Sequence, residues 1–262
     1  MPRVRLTLEY DGTEFVGWQR QLNGRSVQEV LESGLAKFLG EKVTTAAAGR
    51  TDAGVHALGQ VVAFDAPRAL PSKAWVRGLS DLLPVDLVVV AADEVPDDFD
   101  PRRWATGKRY RYFVSRRQSR APLLRRTHWE VFPPLDVESM RIAAPVLVGT
   151  HDFSSFRAAD CEAPHPRRTL RELDLQAVGD ILRIEVEGTA FLKHMVRNIV
   201  GSLVEVGRGR RAPEWIAEVL AARDRTLAGP TAPAHGLTLV EVTYGPVRGA
   251  RKGAPPRAAE RR

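Results

Sequence analysis

Asp52 is the residue on which chemistry could turn. It lies in the run Gly49-Arg50-Thr51-Asp52-Ala53-Gly54-Val55-His56, between two apolar, strand-like stretches at 43–48 and 58–64. A lone carboxylate in a polar loop between buried strands is placed to act as a nucleophile or a base. The two glycines let a ligand or another chain approach the backbone closely. The same residues also describe a capped turn, with Asp52 bonding the backbone two residues on. From this loop alone both readings stand.

Two distant segments bear on the choice. In Lys108-Arg109-Tyr110-Arg111-Tyr112, alternation puts Tyr110 and Tyr112 on one sheet face. There they are core aromatics, or one of them is a shelf on which a nucleic-acid base stacks. In the run Phe191-Leu192-Lys193-His194-Met195-Val196-Arg197-Asn198-Ile199-Val200-Gly201, Arg197 sits at the edge of a buried stripe. An unpaired guanidinium there would be costly, so Arg197 calls for a carboxylate. A bidentate pair with an aspartate would keep that aspartate ionised. The alternative is a surface arginine on the flank of an amphipathic helix. Lys193 is left without a role.

Other chemistries lack support. No glycine-rich loop opens a helix after a strand, and no Gly-x-Ser-x-Gly elbow occurs. His56, His128, His151, His165, His194 and His235 are scattered, and nothing near Cys161 marks an activated thiol. A metal site is not expected.

The 262 residues are 44% hydrophobic and 27% charged, as in an ordinary globular protein of one large or two smaller domains. No apolar run approaches the ~20 residues needed to span a bilayer, and the first residues lack a signal-peptide core. With one cysteine, a cytoplasmic protein is expected. Residues 246–262 hold six basic residues against Glu260, which is +5 of the chain's net +7. That tail reads as a disordered basic arm. Residues 102–126 carry ten Lys or Arg and no acid, interleaved with Trp104, Tyr110, Tyr112 and Phe113. Clustered charge among aromatic rings fits a polyanion whose bases can stack.

The elements that must position these residues follow from periodicity. Alternation at 4–10 predicts a strand, and Ser26 with Glu29 is a capping box opening a helix that stops at Gly40. Strands at 43–48 and 58–64, a helix from Pro71 to Pro84 and a strand at 87–91 complete a β-α-β-β-α-β order, the ferredoxin-like pattern. The second half repeats the order more loosely. A strand at 108–115, a helix at 136–147, a hairpin of 170–177 with 181–187, a helix at 191–206, a short helix from Pro213 and a strand at 236–244 are predicted. The expected division is 1–103, 104–245 and the tail 246–262.

The runs at 49–56, 108–112 and 191–201 resemble the tRNA pseudouridine synthase A family. So do Tyr10-Asp11-Gly12-Thr13 with Gly17-Trp18-Gln19-Arg20-Gln21, His151-Asp152-Phe153-Ser154-Ser155-Phe156, and Ala232-Pro233-Ala234-His235-Gly236-Leu237. The resemblance spans residues 3 to about 245 and leaves out the tail. It implies an α+β fold of two ferredoxin-like, RRM-like subdomains whose mainly antiparallel sheets join around a cleft, the pseudouridine synthase fold. It implies a homodimer that isomerises uridines 38, 39 and 40 in the anticodon stem-loop of tRNA, without metal or cofactor. On the matched positions, Asp52 is the nucleophile, Tyr110 stacks on the flipped uracil and Arg197 pairs with Asp52. Arg50 matches the arginine that helps extrude the base and hold the emptied stack.

Overall fold

Strand β1, Arg3–Tyr10, buries Val4, Leu6, Leu8 and Tyr10 on one face, as its alternation requires. The computed structural model describes residues 1–132 and 135–245, so the predicted tail lies outside the described residues. After β1 the chain continues through α1 (Val27–Leu39), β2 (Ala46–Ala47), β3 (His56–Asp65), β4 (Leu87–Val95), β5 (Ala105–Ser115) and β6 (Trp129–Glu130). Then come α2 (Val137–Ala143), β7 (Gly149–Asp152), β8 (Arg167–Val178), β9 (Ile181–Gly188), α3 (Met195–Gly207), α4 (Trp215–Ala222) and β10 (Leu237–Tyr244).

Among the described residues, ten strands form one mixed sheet in the order β4-β1-β3-β10-β5-β9-β8-β7, with β2 beside β3 and β6 beside β5. Neighbours are antiparallel except at β3–β10 and β5–β6. The class is α+β, as expected. The last strand sits between the two halves of the chain. Leu239 of β10 pairs with Ala57 of β3 on one side and with Tyr110 of β5 on the other. That register carries Tyr110 to the strand that leaves the Asp52 loop.

Besides the helix expected at 136–147, which turns 3-10 after Ala143, and the unexpected strand β7, local structure departs from the sequence expectation in three places. The strand at 43–48 shrinks to Ala46–Ala47, because Glu32 on α1 captures Thr45 through its backbone N–H (2.9 Å) and its hydroxyl (3.0 Å). The helix expected from Pro71 opens into a wide π turn at Ala74–Leu79 followed by a 3-10 turn at Ser80–Leu82. This seats the buried Trp75 against Phe38 (5.4 Å) and Phe64 (5.6 Å). The helix expected from Phe191 starts only at Met195, because His194 turns left-handed, φ 61°.

The first helix forms as read. Ser26 accepts the Glu29 N–H at its start, Gly40 caps its end at φ 83°, and Val27, Leu31, Leu35 and Leu39 face the core.

Candidate active site

The Asp52 loop is fastened to the segment after β1. The Thr51 carbonyl accepts the Trp18 N–H at 3.0 Å, and the Phe15 carbonyl accepts the Gly54 N–H at 3.2 Å. The Thr51 hydroxyl meets the Tyr10 hydroxyl at 2.9 Å. Burial pushes that phenol up to about 12, so it stays protonated and bonded. Gly17 is required by this docking. Its φ is +109°, and a Cβ there would stand 2.7 Å from the Thr51 carbonyl oxygen.

From the other side, two strand residues hold the loop's entry. Gln60 donates to the Gly49 carbonyl at 2.8 Å, and the Lys108 ammonium donates to the Ala48 carbonyl at 2.7 Å. Burial, helped by the nearby Arg102 charge, pulls the Lys108 amine down to about 8. His56 closes the loop's exit. Its Nδ1 accepts the Gly12 N–H at 3.0 Å, which leaves Nε2 as the donor toward the carbonyls of Arg126 (2.8 Å) and His235 (3.1 Å).

Within this frame the turn is closed by backbone, the Asp52 carbonyl accepting the Val55 N–H at 3.2 Å. The Asp52 side chain does not cap the turn; it accepts from Arg197. The Arg197 Nη1 lies 2.9 Å from Asp52 Oδ2, across 145 residues of sequence. The expected bidentate pairing is not what forms. Arg197 directs its Nε to the Ala232 carbonyl at 2.8 Å, while its own carbonyl accepts the Ala232 N–H at 3.1 Å. Two contacts thus fix the guanidinium of a side chain only 15% exposed, and the backbone bond to Ala232 fixes its base, aiming one N–H at the carboxylate. The segment before Ala232 can reach α3 because Gly201 has no side chain, since any Cβ there would collide with the Pro230 carbonyl.

Tyr110 is 8% exposed, with its ring edge-on to Phe191 at 5.1 Å and 82°. Burial, then the neighbouring Tyr10 phenol and the Asp52 charge, holds its phenol well above the ordinary tyrosine value. Tyr112 belongs to the core. It is fully buried and donates to the Pro233 carbonyl at 2.8 Å. Phe113 stacks on His128 and Trp104 packs on Phe99, so the aromatic series read in the basic segment is largely committed within the protein. Arg109 and Arg111 likewise pair with Glu187 and Glu185. Arg117, Arg120 and Arg125 remain exposed in the loop that follows β5.

Asp52, Tyr110 and Arg197 are therefore brought together, whereas Arg50 is not. Its side chain is 66% exposed at the rim, with a 4.0 Å contact to Glu162. Sequence reasoning missed His194, whose Nε2 lies 3.4 Å from Asp52 Oδ2. It also missed Lys108 as a brace. Signals existed for both: His194 stands three residues before Arg197, and Lys108 two before Tyr110 on the same strand face. Lys193 points instead to Asp160, 2.5 Å away.

A family model described as tRNA pseudouridine synthase matches residues 7–102 and 143–245. The chain belongs to the tRNA pseudouridine synthase family. Membership is thereby shown as the motifs implied it, and the family is one of isomerases. A Myxococcus xanthus protein named tRNA pseudouridine synthase A is 64% identical over 245 residues, covering 93% of this chain and 92% of its own. Its namesake from Geobacter sulfurreducens is 48% identical, covering 93% and 100%. That from Ralstonia nicotianae is also 48% identical, covering 93% and 90%. Among the described residues, no helix is long and apolar enough to cross a membrane, and no three His, Cys, Asp or Glu gather as a metal site.

Proposed function

We propose that this member of the tRNA pseudouridine synthase family isomerises uridine to pseudouridine at positions 38, 39 and 40 of the tRNA anticodon stem-loop. In this reading Asp52 is the nucleophile, Arg197 keeps it ionised and oriented, and Tyr110 stacks on the flipped uracil. The observation that carries it is the single Arg197–Asp52 contact at 2.9 Å, made by a guanidinium already fixed through Ala232.

The chemistry asks for this kind of site. The N1–C1′ bond breaks, the uracil rotates, and C5 joins C1′, with no net oxidation or hydrolysis. A charged carboxylate held by a preorganised cation suits either attack on the ring or attack on C1′. The target base has to leave its stack, at an unstacking cost of a few kcal/mol. The Tyr110 ring, backed by Phe191, offers a replacement surface. In this reading Arg50, exposed on the same loop as Asp52, enters the space the base vacates. The exposed arginines at 117–125 supply phosphate contacts. The reading extends to a cytoplasmic homodimer.

The test is to incubate the purified protein with unmodified tRNA transcripts and map pseudouridine at single-nucleotide resolution. Modification at 38, 39 and 40 is expected. Modification confined to other positions, or none at all, would overturn the reading.

A further inference from the structure

His194 is held in a backbone conformation that few non-glycine residues adopt, though histidine adopts it more readily than most. Its φ of 61° is left-handed, and it is one of two non-glycine residues with positive φ among those described. The surroundings enforce this. The Leu192 carbonyl accepts the Met195 N–H at 3.1 Å, the Lys193 carbonyl accepts the Ala158 N–H at 2.9 Å, and the His194 carbonyl accepts the Asn198 N–H at 2.9 Å. Lys193 adds an ion pair to Asp160.

The His194 carbonyl accepts the first helical N–H of α3, but its side chain makes no capping bond. The left-handed backbone turns the imidazole toward Asp52, with Nε2 at 3.4 Å from Oδ2. The His194 and Asp52 side chains are 28% and 26% exposed, so both remain reachable. Among the described residues, neither ring nitrogen makes a hydrogen bond. A ring that secures no structural bond of its own, yet is aimed by a left-handed backbone at a reactive carboxylate, points to a role in chemistry.

The proposed isomerisation leaves a proton to be moved. When C5 has bonded to C1′, C5 still carries its hydrogen. That proton must leave so that its electron pair can restore the C5–C6 double bond. N1, which keeps the electron pair of the broken N1–C1′ bond, must gain a proton. One proton leaves C5, one arrives at N1, and nothing is oxidised. On the C1′ route Asp52 displaces N1 from C1′ and is itself displaced when C5 bonds to C1′; the freed carboxylate, held ionised by Arg197, is a weak base, so a separate base within reach of the same ring is called for.

Resting on the reading of Asp52 as nucleophile, we propose that His194 is the general base that takes the C5 proton and, as imidazolium, returns it to N1. The charged groups around the ring fit this cycle. Partial burial lowers the affinity of the imidazole for a proton, and Arg197 and Lys193 act in the same direction, while Asp52 and Asp160 oppose them. The ring is therefore neutral at the start. Once Asp52 is released as a free carboxylate, it lies beside the imidazolium and stabilises it.

The decisive variant is His194→Gly, which accepts positive φ without strain and removes the ring. Expected are an unchanged or raised unfolding midpoint, tRNA affinity within twofold of wild type, and tritium release from C5-labelled uridine slower by about a hundredfold. Added imidazole should restore at least tenfold, and deuterium at C5 should now slow the reaction. The acid limb of the wild-type kcat profile, set by a group titrating below about 6.5, should vanish. A glycine variant as active as wild type overturns the proposal. So does lost activity with neither imidazole rescue nor an isotope effect, which would make His194 a matter of shape. Failure of the underlying reading looks different: the wild-type protein forms no pseudouridine, or Asp52→Ala remains active, and either result overturns both.

Discussion

Lys108 offers a quantitative test of how the Asp52 loop is held. Its ammonium is tucked under the loop against the Ala48 carbonyl, and burial brings its pKa from 10.5 to about 8. Below pH 8 both folded and unfolded chains carry the proton, and the folded state bears the full penalty of burying it. A tenfold change in proton affinity corresponds to about 1.4 kcal/mol, so the penalty is at most about 3.5 kcal/mol near pH 7. As pH rises from 8 toward 10.5, the folded amine loses its proton while the unfolded one keeps it. The unfolded state then binds more protons, and stability rises with pH. Lys108→Met removes the penalty and one hydrogen bond worth about 1 kcal/mol. The variant is expected to be as stable as wild type or more so at pH 7. From pH 7 to 9.5, wild type should gain about 2 kcal/mol on the variant. Tyr10 and Tyr110, whose raised pKa values act in the opposite sense at high pH, are present in both proteins and cancel. Urea unfolding of the two proteins at both pH values reads this difference directly. A stability gap that does not change with pH would contradict a buried, charged Lys108, and so would a gap that widens in favour of the variant.

Other consequences follow from the same geometry. Arg197→Met leaves the Asp52 carboxylate without its cation and the Ala232 carbonyl without its donor. Single-turnover rates should fall about 100-fold while tRNA affinity holds, and a fall in affinity alone would contradict the role given to Arg197. Gly17→Ala drives a Cβ toward the Thr51 carbonyl at a φ of +109°, and should destabilise by about 2 kcal/mol in urea titrations. An unchanged midpoint would count against the docking described for the loop. The Tyr110 hydroxyl makes no hydrogen bond among the described residues, so Tyr110→Phe should bind tRNA within twofold of wild type. Tyr110→Leu should lose about 1–3 kcal/mol of stacking, and equal binding by both variants would argue against a base on that ring.

Elements whose pattern is local could be read directly. The alternation of β1 and the Ser26 cap of α1 are properties of a few adjacent residues, and both form as read. The failures are where distant groups intervene. Residues 43–48 have strand composition, but Glu32 takes the hydrogen bonds of Thr45, and no local pattern reveals that. The placement of β10 between β3 and β5 depends on pairing across more than a hundred residues, which periodicity does not encode. At the site, burial logic showed that Arg197 wanted a carboxylate, yet its choice of Asp52 came from resemblance rather than from spacing. The single rather than bidentate contact reflects the Ala232 carbonyl, a partner invisible in the motif. His194 escaped because a left-handed residue is imposed by its neighbours' packing and leaves the hydrophobic stripe of α3 unaltered.

Whether Asp52 carries the isomerisation can be decided with Asp52→Asn in a tritium-release assay on C5-labelled tRNA. Asparagine keeps the shape of the side chain and an oxygen for the Arg197 Nη1, but removes the charge and the nucleophile. Release no faster than the uncatalysed background is expected, with circular dichroism and tRNA affinity unchanged. Release within tenfold of wild type would rule out Asp52 as the nucleophile.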